Sequence, residues 1–396
     1  MTMSDRAAAI WIGAIAAAVY LCAGFGLVTD YDYDGRLAAA LLHGKWWLDS
    51  APPYLNELLP CGDGRFCVVI PPLPAVLALP FVPFLSTAAA QVVASRIAGG
   101  ASAGVLYAAL RAYGAPRWHA LAGALLSAFG TTLFFTSVDG RAWFAAHAAS
   151  MLFLSAAFAV AARGGPGPLL GSLVGISALA RLPLAAVTPV LAWLAGRRSA
   201  VPFRRVLVGA VLGGIPFAIV YVAYNLARWG SPLDEGYVRL TQDDFFFDHG
   251  LFSIFYLPRQ LYALLLAPPD FVAGTPFFLR PRWEGMSLLL TTPAFLWVFG
   301  ALREVRRDRV VAAVVIAGVV ALLPDLLYAT WGFEQFGYRR SIDAQPFLVA
   351  LAITGDGLRR GAWRTSPSPI FTAAIVLSVA INLYATIAIT RFGYWQ

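Results

Sequence analysis

Residues 8–44 read AAIWIGAIAAAVYLCAGFGLVTDYDYDGRLAAALLHG. The first part, Ala8 to Val28, is an uninterrupted apolar run. At 1.5 Å per residue, about twenty such residues match the roughly 30 Å hydrocarbon core of a bilayer. The run is longer than the roughly 7–15 residues of a signal-peptide core and has no small-residue cleavage site, so it reads as a first membrane span. Three carboxylates then follow at alternate positions, Asp30, Asp32 and Asp34. A carboxylate at the bilayer centre costs roughly 2.5–3.5 kcal/mol on insertion scales, so three in a row belong at the membrane boundary.

The whole chain has the same character. Of its 396 residues 59% are hydrophobic and 13% charged, with mean hydropathy +0.70, whereas soluble domains carry about 25% charged residues. Further apolar runs of helix length lie near 92–111, 118–137, 142–162, 206–226, 286–302, 310–330, 342–358 and 370–390. A stretch from Pro168 to Ala195 is interrupted by Arg181 and Pro183 and reads as a hairpin of two short helices. The expected fold is an all-α polytopic membrane bundle of about eleven transmembrane helices, two of them short, in a single domain over 1–396.

The net charge of +8 is scattered between apolar segments and forms no solvated basic face, which argues against nucleic acid as a partner. Arginines fall in short loops on one side, from Arg6 through Arg111, Arg197, Arg205, Arg307 and Arg360 to Arg364, against only Asp5, Glu304, Asp308 and Asp356. Because Lys and Arg stay cytoplasmic, the N-terminus is inside, Gln396 is outside, and the expected location is the plasma (inner) membrane. An even number of crossings between Arg163 and Arg197 supports the hairpin. It also makes Pro71 to Leu85 a partly inserted helix on the outer face, because a full crossing there would invert every later loop.

Two long connections lie outside, 29–91 and 227–285, and loops of this length are usually functional. Both are rich in aromatic residues and proline, as expected of segments at headgroup level. Phe245, Phe246, Phe247, Phe252, Phe255, Tyr256 and Tyr262 either border a path for a lipid or only anchor the loop in the membrane surface. Cys61 and Cys67 in CGDGRFC stand on the oxidising side, where a small disulfide loop or two unpaired thiols are the alternatives. Cys22 lies in the first span and packs there. No phosphate-binding loop of the Walker type occurs, so ATP or a nucleotide sugar is not expected as a direct substrate.

The carboxylates admit three readings. They cap the helix from Gly35 to Leu42; or three hard oxygens hold Mg²⁺, Mn²⁺ or Ca²⁺; or one acts as a base. An extended segment places all three on one face, and a helical one places Asp30 and Asp34 together.

The pattern Asp30, Asp34, Ala38, Leu41, Gly44 resembles the first external loop of GT-C glycosyltransferases that use polyprenyl-phosphate sugars, including protein mannosyltransferase and aminoarabinose transferase relatives. Four further stretches resemble the family's motifs in order: VVIPPLPAVLALP, ISALARLP, YNLARWGSPLDEGY and FEQFGYRRSIDAQPFL. Together they span about Gly24 to Leu348. Two positions depart from the family pattern: Tyr31 replaces an acidic residue, and Ile70 replaces the Lys or His before Pro-Pro.

The resemblance implies transfer of a sugar from a polyprenyl-phosphate donor to a hydroxyl of a glycan, lipid or protein, with inversion. A phosphate-linked C1 already has a good leaving group, so one base suffices and no general acid is required. Asp30 is the first candidate for that base, followed by Asp34 and Asp32. Arginine suits the departing phosphate; Arg339 is the first choice, with Arg340, Arg65 and Arg181 as alternatives. Arg181 is equally readable as a structural residue at a helix break. Asp139 and Arg141 sit on a short outer turn, as substrate contacts or as a local ion pair, and Tyr237 closes the YNLARWGSPLDEGY motif. His147 reads as a packing residue. The competing readings are a transporter or flippase of a lipid-linked saccharide and a non-catalytic membrane subunit.

Overall fold

The structure, a computed structural model, describes residues 3–273, 279–282 and 284–393; Gln396 lies outside them. It is an all-α membrane protein. Helices α1 (Met3–Ala23), α2 (Tyr33–Leu42), α3 (Leu73–Ala78), α4 (Thr87–Tyr113), α5 (Arg117–Phe129), α6 (Leu133–Asp139), α7 (Ala142–Ala162), α8 (Gly167–Ala178), α9 (Thr188–Ser199) and α10 (Phe203–Trp229) make up the first part. Then come α11 (Gly236–Thr241), α12 (Leu257–Leu265), α13 (Leu288–Thr291), α14 (Val298–Ala301), α15 (Arg309–Leu326), α16 (Gln345–Gly357) and α17 (Pro369–Phe392).

Six of these, α1, α4, α7, α10, α15 and α17, are long and apolar enough to cross a membrane, and α5 with α6 make a seventh if the bent pair counts as one span. Their burial differs with position. The span windows of α4 and α7 are 78% buried, whereas those of α1 and α10 are 17% and 22% buried and present Trp11, Ile15, Val211 and Ile219 outward. Apolar side chains on such helices are covered by lipid. α4 is central, packing on α1, α5 and α7.

The short hairpin of α8 and α9 is present, joined by a 3-10 turn over Leu182–Val187 that holds Pro183. α8 lies against α10 so closely that a Cβ on Gly171 would collide with the Ala210 carbonyl.

Two expected spans differ from the sequence reading. The run 118–137 bends by 45° between α5 and α6. Gly130 ends α5, and the Thr131 hydroxyl donates to the Ser127 carbonyl (2.8 Å), a back-bond that bends helices. The run 286–302 is α13, a 3-10 stretch Pro293–Trp297 and α14. Pro293 has no N–H and breaks the ladder. α17 supplies the missing partners: Asn382 donates to Thr291 O (2.7 Å), and the Ser378 hydroxyl accepts from Ala294 N–H (3.2 Å). The segment expected as a helix over 71–85 contains only the six-residue α3. Its first N–H donates to Leu179 O at the end of α8 (3.1 Å).

At the arginine-rich end the few acids are paired or used as caps. Asp5 meets Arg111 (3.2 Å), Glu304 meets Arg307 (3.6 Å), Asp356 meets Ser368, and Asp308 caps α15 through Val310 N–H (2.7 Å). At the other end lie the two long connections, between α1 and α4 and between α10 and α13. Strands β1 (Leu58–Pro60) and β2 (Phe66–Val68) pair antiparallel in the first, and Cys61 and Cys67 are bonded across their turn. Cys22 does not pack inside; it is exposed on α1, on the face left for lipid. In the second connection Phe245, Phe252 and Phe255 are exposed, whereas Tyr256 is buried, its hydroxyl donating to Gly250 O (2.9 Å).

The disulfide closes a loop with a sequence separation of 6, so chain entropy assigns it only about 2 kcal/mol. Replacing both cysteines by Ser should lower the unfolding midpoint modestly. Limited proteolysis should show new cleavage confined to residues 58–68.

Candidate active site

The three carboxylates part company because α2 begins at Tyr33, after Asp32. Asp30 stays outside the helix and exposed. Asp32 occupies the N-cap but makes no capping bond; its carboxylate accepts from Arg36 Nε (2.6 Å) and the Thr87 hydroxyl (2.5 Å). Asp34, in the first turn, faces inward and is fully buried, with neither oxygen hydrogen-bonded. The expected sharing of a face by Asp30 and Asp34 is therefore not found, since it required the helix to start before Asp30.

The N-terminal amides of α2 are satisfied from another helix. Gln91 on α4 accepts from the Asp34 and Gly35 N–H groups (2.9 and 3.1 Å). The same amide donates to Tyr31 O and Gly140 O (3.0 and 2.9 Å). Gly35 permits this approach, because a Cβ there would run into the Thr87 carbonyl.

Within the electrostatic field of Asp34 lies Glu57, a residue without a recognisable motif around it. Its position is set by Tyr33, whose hydroxyl accepts from Glu57 N–H (3.1 Å) and donates to Asn56 Oδ1 (3.2 Å). Glu57 Oε2 is buried and unpartnered. Burial lifts the Asp34 carboxyl well above the usual carboxylate range, and the charges of Glu57 and Asp32 add to the rise. Burial pushes Glu57 up to about 7, opposed by the Arg339 guanidinium.

Arg339 supplies the cation. It is buried, donates through Nη1 to Phe333 O (3.0 Å) and Gln335 Oε1 (3.2 Å), and lies 5.1 Å from the Phe144 ring centre; its Nε has no partner. Burial and its neighbours Arg340 and Arg181 bring it down to about 9, while Tyr237 and Glu57 oppose the shift. Tyr237 is thus part of this group; burial raises its phenol well above the ordinary value, and Glu57 adds to the rise. Tyr224 also lies within the electrostatic field of Asp34.

The other arginines are already engaged. Arg340 pairs with Asp325 (3.0 Å), and Arg181 joins Asp325 (2.6 Å) to Asp343 (2.8 Å), which also meets His147 Nδ1 (2.8 Å). Two members of that network of alternating charge, Arg340 and Asp343, stand on the same turn as Arg339. Arg141 pairs with Asp139 (2.8 Å) and with Glu334, so the turn between α6 and α7 is tied to the segment leading into FGYRR. Arg65 stays apart, 43% exposed, beside Asp63 and over Trp47 (4.4 Å).

Arg228, in the YNLARWGSPLDEGY stretch, ties the two long connections together by donating to Val68 O (2.5 Å) and Val69 O (3.1 Å). Sequence reasoning missed Glu57, Gln91, Asp325 and Asp343. Asp325 and Asp343 carried a signal as carboxylates inside apolar runs, and Gln91 as a polar residue in the first turns of an apolar helix; Glu57 carried none.

Among the described residues no group of three or more His, Cys, Asp or Glu side chains is placed to hold one metal ion; Asp32 is taken by Arg36 and Thr87, and Asp30 is exposed. The arrangement offers an unpartnered buried carboxyl, a second carboxyl beside it, and a guanidinium with a free donor. It can take up a proton at one point and stabilise a developing anion at another. Comparison of the chain with protein-family models, with curated proteins and with solved structures found no match.

Proposed function

We propose that the chain is an integral-membrane glycosyltransferase that moves a sugar from a polyprenyl-phosphate donor to an acceptor hydroxyl on the exoplasmic face, with inversion. The shorter apolar elements, α8, α9, α16 and the broken 288–301 segment, complete eleven crossings in this reading. The arginine-rich end faces the cytoplasm of a plasma (inner) membrane. The observation that carries the proposal is the buried, unpartnered Asp34 carboxyl, related through Glu57 to the unpartnered Nε of Arg339.

In the reaction the acceptor oxygen attacks C1 as Asp34 takes its proton. The new C1–O bond forms while the bond from C1 to the phosphate oxygen breaks. The phosphate leaves with the electron pair, held by Arg339. Asp34 replaces Asp30 as the first candidate for the base, because Asp30 is exposed and bulk water can hold its charge.

A base whose pKa is raised is protonated at a higher pH than an ordinary carboxyl. kcat/KM should therefore decline on the acid side at a pH well above the ordinary carboxylate range. Glu57→Gln removes one neighbouring charge and should move that limb to lower pH. Asp32, Tyr33, Tyr224, Tyr237, Tyr328 and Arg339 are also titratable or charged groups around the pair and remain in place. An unmoved limb would remove Glu57 from the site.

A transporter or flippase has one observation in its favour, the buried Arg181–Asp325–Asp343–His147 network, since ionisable groups within a bundle often line a path. Purified protein assayed against a panel of polyprenyl-phosphate sugars separates the two readings. Release of free polyprenyl phosphate with glycosylation of an acceptor supports the transferase, and movement of intact donor across a vesicle without chemistry supports the other.

A further inference from the structure

Gln91 is 1% exposed in the first turns of α4, and all of its hydrogen-bonding capacity is directed at backbone. An amide has two donors and one oxygen with two lone pairs. Here both N–H groups are given, to Tyr31 O (3.0 Å) and Gly140 O (2.9 Å), and the oxygen accepts twice, from Asp34 N–H (2.9 Å) and Gly35 N–H (3.1 Å).

Neither segment could be satisfied locally. Asp32 makes no capping bond to α2, so the first amides of that helix have no partner from their own sequence. The Gly140 carbonyl belongs to a left-handed turn (φ +69°) between two helices. One side chain therefore joins the segment leading into α2, the peptide that carries Asp34, and the turn flanked by Asp139 and Arg141. That turn is in turn bound to Glu334 through Arg141, five residues before Arg339. Further pins act alongside it: Ala142 N–H donates to Tyr31 O (3.3 Å), and Thr87 donates to Asp32 (2.5 Å). None of these reaches the Asp34 peptide itself.

We infer that Gln91 is the positioning residue of the site, fixing the Asp34 peptide relative to the Arg141 turn so that the base and the arginine-bearing segment keep one geometry. This rests on the transferase reading for its catalytic consequence, but not for its geometry. Gln91 does not touch substrate; it acts through the placement of Asp34. Misplacement of a catalytic group by about 1 Å is worth roughly a hundredfold in rate.

The test uses full-length protein in nanodiscs and two variants. Gln91→Leu removes all four bonds; Gln91→Met also removes all four but keeps an unbranched side chain of similar length, and serves if the first variant does not fold. Two quantities are read: hydrogen exchange of the peptide covering residues 31–36, and single-turnover transfer normalised to sites that bind donor. Exchange in that peptide should accelerate at least tenfold while the rest of α4 is unchanged. The rate per donor-binding site should fall about a hundredfold with donor KM within threefold. Unchanged exchange would overturn the assigned geometry. Faster exchange with a wild-type rate per site would overturn the positioning role. Wild-type protein that transfers no sugar from any donor, with the exchange result as stated, would instead sink the transferase reading and leave the structural assignment standing.

Discussion

Asp34→Asn should lower the rate of sugar transfer by about a thousandfold, within the roughly 10²–10⁴-fold range of general-base catalysis. The carboxamide keeps the size and the burial of the side chain but cannot accept a proton at pH 7. Donor binding should survive, because the cation proposed for the phosphate is Arg339. Folding should survive as well, since neither Asp34 oxygen makes a hydrogen bond that the substitution would break. Asp30→Asn is the internal control: that side chain is exposed, so its rate should stay within about threefold, as expected of a surface substitution. A rate for Asp34→Asn within tenfold of wild type, or a larger loss for Asp30→Asn, would return the role of base to another carboxylate.

The second large effect is on stability. Arg181 holds Asp325 and Asp343 at 2.6 and 2.8 Å, and all three side chains are largely buried. Arg181→Ala leaves Asp343 with only His147, and removing one partner of a buried pair typically costs roughly 3–5 kcal/mol. With its own side chain still 21% exposed, Arg181 should come at the low end, about 3 kcal/mol. The measurement is the thermal midpoint in detergent at one scan rate, checked against Arg181→Met combined with Asp343→Asn. The double variant should recover at least half of the loss, because the unpaired charge disappears with its partner. If the double variant is as unstable as the single one, Arg181 acts through packing and not through its ion pairs.

Much of the architecture is legible in the sequence because the bilayer imposes a length. The long apolar runs become α1, α4, α7, α10, α15 and α17, and Arg181 with Pro183 does mark the turn between two short helices. The CGDGRFC spacing does close a disulfide. Hydropathy alone does not register breaks inside an apolar run: Gly130 and Pro293 are as compatible with membrane as their neighbours, and it is the lost N–H or the side-chain back-bond that bends the helix.

The site was legible by residue type but not by direction. DYDYD states that carboxylates stand at the membrane boundary, yet which of them turns inward depends on where α2 starts. That start is fixed by Thr87 and Gln91, more than fifty residues away. Glu57 was hidden for the same reason, since its place follows from the Tyr33 hydroxyl and not from any local pattern. In FGYRR the two arginines look equivalent, and only the capture of Arg340 by Asp325 tells them apart.

The most direct test is a structure of the Asp34→Asn protein in nanodiscs with a polyprenyl-phosphate sugar bound. The expected result places the donor phosphate on the Arg339 guanidinium, with C1 turned toward residue 34 and an approach for the acceptor between them. A headgroup seated away from Arg339, or a C1 that residue 34 cannot reach through one acceptor oxygen, would contradict the account.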